Sequence, residues 1–186
     1  MTMTLYIWRH PKPLAVEGIC LGQTDRGVAK RKLKRLANQI HKYTQRHHLP
    51  KVIWVSPLQR SLQVGQLLAA RGFECRIAPE LMEVSFGEWD GLPWADIPWH
   101  EVDAWCEDFA EYQPGNGESV QQLFTRVEQW LNQRVLANEN VPILVIGHAG
   151  WINAAKRLAT GAGVPQVAAD WPRSVGYGML TVLGLP

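Results

Sequence analysis

Three short apolar runs organise the chain, and each one stops in a cluster of reactive side chains. Leu5–Trp8 ends in Arg9-His10-Pro11, Val52–Val55 in Ser56-Pro57-Leu58-Gln59-Arg60, and Ile143–Ile146 in Gly147-His148-Ala149-Gly150. Runs this short and this apolar read as strands buried on both faces, as in the interior of a parallel sheet. Pro11 ends the first, because proline has no N–H to give to a ladder. Between the runs the period changes. Leu33, Leu36, Ile40 and Tyr43 recur at helical spacing and predict a helix over 26–47. Ser56-Pro-Leu-Gln59 reads as an N-cap, a proline at the first helical position and a capping-box glutamine, opening a helix that runs to about Arg71 with Gly72 as its cap. Glu74–Ala78 predicts a third strand, a short helix falls around 100–111, and Gly178–Leu183 reads as a last strand. Ser119-Val-Gln-Gln122 is a second capping box, followed by a helical stripe of Val120, Leu123, Phe124, Val127, Trp130 and Leu131. Strands separated by helices predict α/β layering around a mostly parallel sheet.

Such sheets bind ligands beyond the carboxyl ends of their strands. Arg9-His10, Ser56–Arg60 and Gly147-His148 all fall there, and Glu83 lies just beyond the third strand. Two histidines, two arginines and a carboxylate suit phosphoryl transfer. Guanidinium forks match phosphate oxygens, neutral imidazole attacks phosphorus, and a carboxylic acid can protonate a leaving alkoxide. Arg60 sits in the first turn of its helix, where the dipole also favours an anion. Taken singly, each residue has a structural reading; their joint placement points to a site.

Composition narrows the classes. At 186 residues the chain suits one domain, 1–186, with 79–117 as a flap or cap segment. A net charge of +2 gives no expectation of nucleic-acid binding, and no apolar run is long enough to span a membrane. Cys20, Cys75 and Cys106 form neither a closed disulfide set nor a metal knuckle, and Met1-Thr-Met-Thr has no secretion-signal character. A reduced, cytoplasmic protein is expected. The charge is segregated: 26–73 holds eleven Lys/Arg and no acid, and 74–118 holds twelve Asp/Glu and one Arg. Two solvated faces, or a basic floor beneath an acidic flap, would each account for this.

These segments resemble the motifs of the histidine phosphatase superfamily, the phosphoglycerate-mutase-like proteins. Leu5-Tyr-Ile-Trp-Arg9-His10 is similar to the opening motif, and Ser56-Pro-Leu-Gln-Arg60 to the family's Ser-Pro-Leu-x-Arg. Leu81-Met-Glu83 through Gly87-Glu-Trp-Asp90-Gly91 resembles Leu-x-Glu-x-x-x-Gly-x-x-Glu-Gly, with Asp90 as the second acid. Gly117-Glu118-Ser119 and Gly147-His148-Ala149-Gly150 complete the series, in the family's order. The resemblance implies a three-layer α/β/α sandwich with the flap over the strand ends. It implies His10 as a nucleophile that becomes phosphohistidine, with Arg9, Arg60 and His148 around the phosphate. Glu83, rather than Glu88, would be the acid that protonates the leaving oxygen and then activates water. No metal and no cofactor are required, and the two arginines should lower the His10 pKa.

One departure stands out. The family usually has glycine after Arg-His, whereas Pro11-Lys12-Pro13 follows here, so a turn using that N–H toward phosphate would lose a donor; Lys12 could supply charge instead. Leu21-Gly22-Gln23-Thr24-Asp25 and Phe86–Trp94 resemble segments of one branch, the α-ribazole phosphatases. That implies a small-molecule phosphomonoester as partner, α-ribazole 5′-phosphate first among them, with Gly22, Gln23 and Ala149 at the substrate. An acidic flap disfavours a doubly phosphorylated anion. Trp89, Trp94, Trp99 and Trp105 either pack the flap onto the body or form an aromatic wall against a flat leaving group. Other readings are a broad-specificity or phosphoprotein histidine phosphatase, a phosphate-binding module without turnover, and a two-histidine nuclease. A homodimer is compatible with the sequence.

Overall fold

The computed structural model describes residues 3–137 and 141–185. The first two residues of the amino-terminal segment read above for a secretion signal lie outside them. Five strands form one sheet in the order β3-β2-β4-β1-β5. They are β1 (Met3–Arg9), β2 (Val52–Val55), β3 (Glu74–Ile77), β4 (Ile143–Gly147) and β5 (Leu180–Leu185). The first four run parallel, and β5 alone is antiparallel, pairing with β1 at the edge. Every residue of the central strand β4 is buried, as its unbroken apolar sequence requires.

Period-two alternation divides the sheet between two cores. Trp8, Ile53, Val55, Leu144 and Ile146 face α1 (Lys30–Arg46) and α2 (Gln59–Ala69). Leu5, Ile7, Ile143 and Val145 face α4 (Val120–Ala137) and α5 (Ala149–Ala159). The layering is therefore α/β/α. The segment from 79 to 117 carries only α3 (Trp99–Glu107) and short 3-10 turns. A small core of its own holds it together: Cys20, Trp89 and Ile97, with Phe86, Trp105 and Tyr112 packed around them. Among the described residues, no helix is long and apolar enough to cross a membrane.

Two helix starts differ from expectation, for one reason. The first helix begins at Lys30 rather than 26, because the Gly27 carbonyl accepts from Leu14 N–H and holds the chain outside the helix. The second begins at Gln59, and the Ser56 capping box does not form. Asp25 caps that helix from a distance instead, its carboxylate accepting Gln59 N–H at 2.8 Å. The anion that this helix N-terminus holds is a side chain of the protein. The Ser119 capping box forms as read, with Ser119 N–H donating to Gln122 Oε1 and Gln122 N–H to Ser119 Oγ. Gly72 adopts the expected left-handed conformation, φ 84°, past the end of α2.

Candidate active site

Sheet register brings the two histidines together. Arg9 pairs with Gly147 across β1 and β4, so the next residue of each strand, His10 and His148, emerges at the same place. His10 N–H continues the ladder onto the Gly147 carbonyl, and the two imidazole centroids are 4.9 Å apart. Both rings are buried. His10 Nδ1 lies 2.8 Å from the Pro11 carbonyl. That oxygen can only accept, so Nδ1 carries the proton and Nε2 keeps its lone pair. The contact Pro11 makes here is through its carbonyl, which proline retains. The Lys12 ammonium is paired with Glu17 at 2.6 Å, on the exposed surface.

Val55 pairs with Ile146 across β2 and β4, which sets Ser56 beside His148. The Ser56 hydroxyl and His148 Nε2 are 2.7 Å apart, so the residue read as a helix cap is a partner of the second histidine. Arg60, one residue into α2, is buried, alone among the basic residues of 26–73. Its guanidinium donates to the carbonyls of Thr24 and Gly22. Asp90 holds the same loop from the other side, its carboxylate accepting the N–H groups of Gly22, Gln23 and Thr24. Gly22 is obligatory there, since a Cβ would overlap the Val84 carbonyl and meet Asp90 Oδ2 at 2.6 Å. Arg9 donates to the Val175 carbonyl at 2.6 Å and lies over Tyr177, 3.9 Å from the ring centroid. Tyr177 also covers His10, with ring centroids 5.5 Å apart. Arg9 Nε, Arg60 Nε and His148 Nδ1 are buried without a protein partner, and polar nitrogens left so are suited to meeting an oxyanion.

Glu83 is buried while Glu88 is exposed. The Gly150 N–H donates to its carboxylate at 3.0 Å and the Val84 N–H at 3.1 Å, and the Gln23 side-chain amide donates to its backbone carbonyl. A Cβ on Gly150 would stand 2.5 Å from Glu83 Oε1, so glycine lets α5 begin against the acid. A cavity of about 290 Å³ opens from Glu83, Ala149 and Gly150 and is walled by Phe86, Trp105, Phe109 and Trp171. Trp105 stacks on Phe109 with centroids 5.4 Å apart, and Phe109 meets Trp171 edge-on at 5.8 Å.

Burial holds the His10 pKa well below its ordinary value, and Arg60 and then Arg9 add to this. The two arginines lower it as the sequence predicts, and removal from water is the larger cause. His148 is lowered likewise, first by burial and then by His10 and Arg60. Both rings are thus held neutral. Burial pushes the Cys20 thiol up to about 12, which removes it as a nucleophile.

Of the residues singled out from sequence, Arg9, His10, Arg60, Glu83 and His148 lie together at the strand ends. Gly22 and Gln23 form the loop that Arg60 and Asp90 hold, and Ala149 lines the cavity. Of the four flap tryptophans, Trp105 lines the cavity; Trp89 is core, donating to Glu101, and Trp99 is exposed. Ser56, Trp171 and Tyr177 were missed. Ser56 carried a signal, misread as a cap, and the other two sit in a stretch without periodicity.

Two histidines, two arginines and a carboxylate thus stand together at the strand ends of an α/β sandwich, an inventory suited to phosphoryl transfer. The chain belongs to the histidine phosphatase superfamily, branch 1, whose model matches residues 5–183. It is 27% identical to the adenosylcobalamin/α-ribazole phosphatase of Escherichia coli over 172 residues, 89% of this chain and 82% of that one. It also resembles the solved α-ribazole phosphatase of Shigella flexneri, at 25% identity and TM-score 0.77 over 97% of this chain and 89% of that one. A mycobacterial glucosyl-3-phosphoglycerate phosphatase is similar too, at 25% identity and TM-score 0.77 over 97% and 89% of the two chains. The chain is a phosphatase of this family.

Proposed function

We propose that the chain, read as one domain with 79–117 as its flap, hydrolyses a small phosphomonoester through a phosphohistidine at His10, and that its substrate is α-ribazole 5′-phosphate. His10 Nε2 attacks phosphorus, the bond to the leaving oxygen breaks, and Glu83 in its acid form gives that oxygen a proton. The alcohol departs. A water then attacks phosphorus, Glu83 as carboxylate takes the water's proton, and the P–N bond breaks with its electron pair returning to Nε2. Phosphate leaves, with His10 neutral and Glu83 protonated again. Arg9, Arg60 and His148 stabilise the charge that spreads over the equatorial oxygens. The depressed His10 pKa keeps the nucleophile in its reactive form at neutral pH.

The aromatic-walled cavity opening from Glu83 carries the substrate assignment. A leaving oxygen at Glu83 places the rest of the leaving group in that cavity. About 290 Å³ is at the small end for ligand sites and suits one fused-ring nucleoside rather than a corrinoid. Phe86, Trp105, Phe109 and Trp171 offer faces and edges to a flat base, and among the described residues no lysine or arginine lines the cavity to meet a sugar acid. Phosphate release in EDTA, from α-ribazole 5′-phosphate beside a generic aryl phosphate, tests this. Release that prefers the ribazole ester and is lost in His10→Ala is expected. Equal rates on both esters would overturn the substrate assignment; release that survives His10→Ala would overturn the mechanism.

A further inference from the structure

The backbone on both sides of Glu83 is held by a residue that touches neither the acid's carboxylate nor the cavity. Arg126, on α4, donates through Nη1 to the carbonyls of Glu80 at 2.6 Å and Met82 at 2.9 Å. Its Nε and Nη2 form a two-pronged pair with Glu118, at 2.8 and 2.7 Å. Glu118 continues the contact past the acid: its N–H donates to the Ser85 carbonyl at 2.7 Å, and its carboxylate accepts Ser85 N–H at 3.3 Å. One guanidinium and one carboxylate thus fix positions 80, 82 and 85, which bracket Glu83. Their side chains are 21% and 15% exposed, so solvent screens the pair less than a surface ion pair. The fork is geometric as well as electrostatic, since only guanidinium serves a carboxylate and two carbonyls from one rigid plane.

We propose that Arg126 is a positioning residue for Glu83, holding the acid where it can protonate the leaving oxygen. The inference rests on the reading of Glu83 as that acid. In-line phosphoryl transfer leaves the acid little tolerance, because its proton must arrive at the bridging oxygen as the bond to phosphorus breaks. Gly150 and Val84 aim the carboxylate, and Arg126 and Glu118 fix the segment from which it is aimed.

The test is a leaving-group series. kcat/KM is measured for an alkyl phosphate, whose alkoxide needs a proton, and for dinitrophenyl phosphate, whose phenolate leaves without one. Arg126→Ala and the milder Arg126→Lys are compared with Glu83→Gln, each checked for a native unfolding midpoint; Arg126→Lys decides the matter where Arg126→Ala does not fold. Glu83→Gln should lose about 10²-fold or more on the alkyl ester and little on the aryl ester. Arg126→Lys should show the same pattern at about tenfold, with less than about threefold on the aryl ester. A loss shared equally by both esters, or none on either, overturns the inference, because a merely structural role lowers both together. A Glu83→Gln variant with no leaving-group dependence overturns the reading of Glu83 itself, and the inference with it.

Discussion

The strand ends and the flap build two halves of one site by different means. At the strand ends, ladder hydrogen bonds set positions: Arg9 opposite Gly147 and Val55 opposite Ile146 leave His10, Ser56 and His148 no other place to go. The flap contributes no strand to the sheet; its ladder contact is an isolated antiparallel bridge, Ile19 opposite Pro93, with backbone bonds from Gly18 and Cys20 to 91–94. Beyond that it is held by aromatic contacts, by carboxylates on backbone N–H groups, and by glycines where two stretches of chain meet. Gly87, at φ 53°, packs so closely on 115–117 that a Cβ would overlap the Gly115 carbonyl and stand 2.6 Å from Gly117 N. A half fixed by the sheet suits chemistry common to a family, and a half fixed by side-chain packing suits the choice of substrate. Loops on a rigid scaffold divide such work generally.

Changes in each half should separate the two. The largest effect is expected at the strand ends: Arg60→Ala should lower kcat by about 10³-fold on aryl and nucleoside esters alike, because charge on the transferring group is shared by all substrates. A loss confined to one ester would show that Arg60 reads the leaving group. Gly87→Ala should come next. It adds a Cβ at a left-handed position against backbone, and a destabilisation of about 2–4 kcal/mol is expected from urea unfolding. Where that variant is folded, ester discrimination should fall while orthovanadate still binds at the strand ends; loss of vanadate binding instead would mean that the halves are not separable.

A smaller effect is expected from pH. His10 and His148 have folded pKa values below the unfolded value, so between the two the unfolded chain holds more protons. Stability is then complete above about pH 6.5 and falls as pH drops below it, by up to about 1.4 kcal/mol per pH unit for each histidine. The unfolding midpoint should fall between about pH 7.5 and about pH 5.5, and His148→Gln should flatten the slope. An unchanged slope in that variant would contradict the burial account of His148. The smallest effect is at the cavity wall: Trp105→Leu should cost about two- to tenfold in kcat/KM on the ribazole ester and nothing on a small alkyl phosphate. Equal losses would make Trp105 a packing residue.

The same division decides what could be read from sequence. β1, β2 and β4 were legible as apolar runs, although only β4 is buried along its whole length and β1 and β2 alternate with half-buried residues, and the reactive residues at their ends followed from where such sheets bind ligands. The cap of α2 was not, because Ser56 has the local pattern of an N-cap while Asp25, distant in sequence, makes the bond. Local propensity carries no information about a competitor from another loop. Trp171 and Tyr177 were not legible either. They reach the cavity and His10 from a stretch without regular structure, so neither helical nor strand spacing marks them. The flap tryptophans were visible as a cluster, but which of them faces the cavity was decided by tertiary packing: Trp105 stands there, with Trp94 stacked on it at 6.5 Å, and Trp89 is turned into the flap's own core.

Phosphate passing through His10 is the step from which the roles of Glu83, Arg9, Arg60 and His148 follow. The most direct test is to mix enzyme with a ³²P-labelled substrate, quench in alkali, and map the label. Stoichiometric, acid-labile, alkali-stable label is expected on the peptide carrying His10, absent in His10→Ala and accumulating in Glu83→Gln on an aryl ester that needs no acid to leave. Turnover without label on His10, or label on another residue, would contradict it.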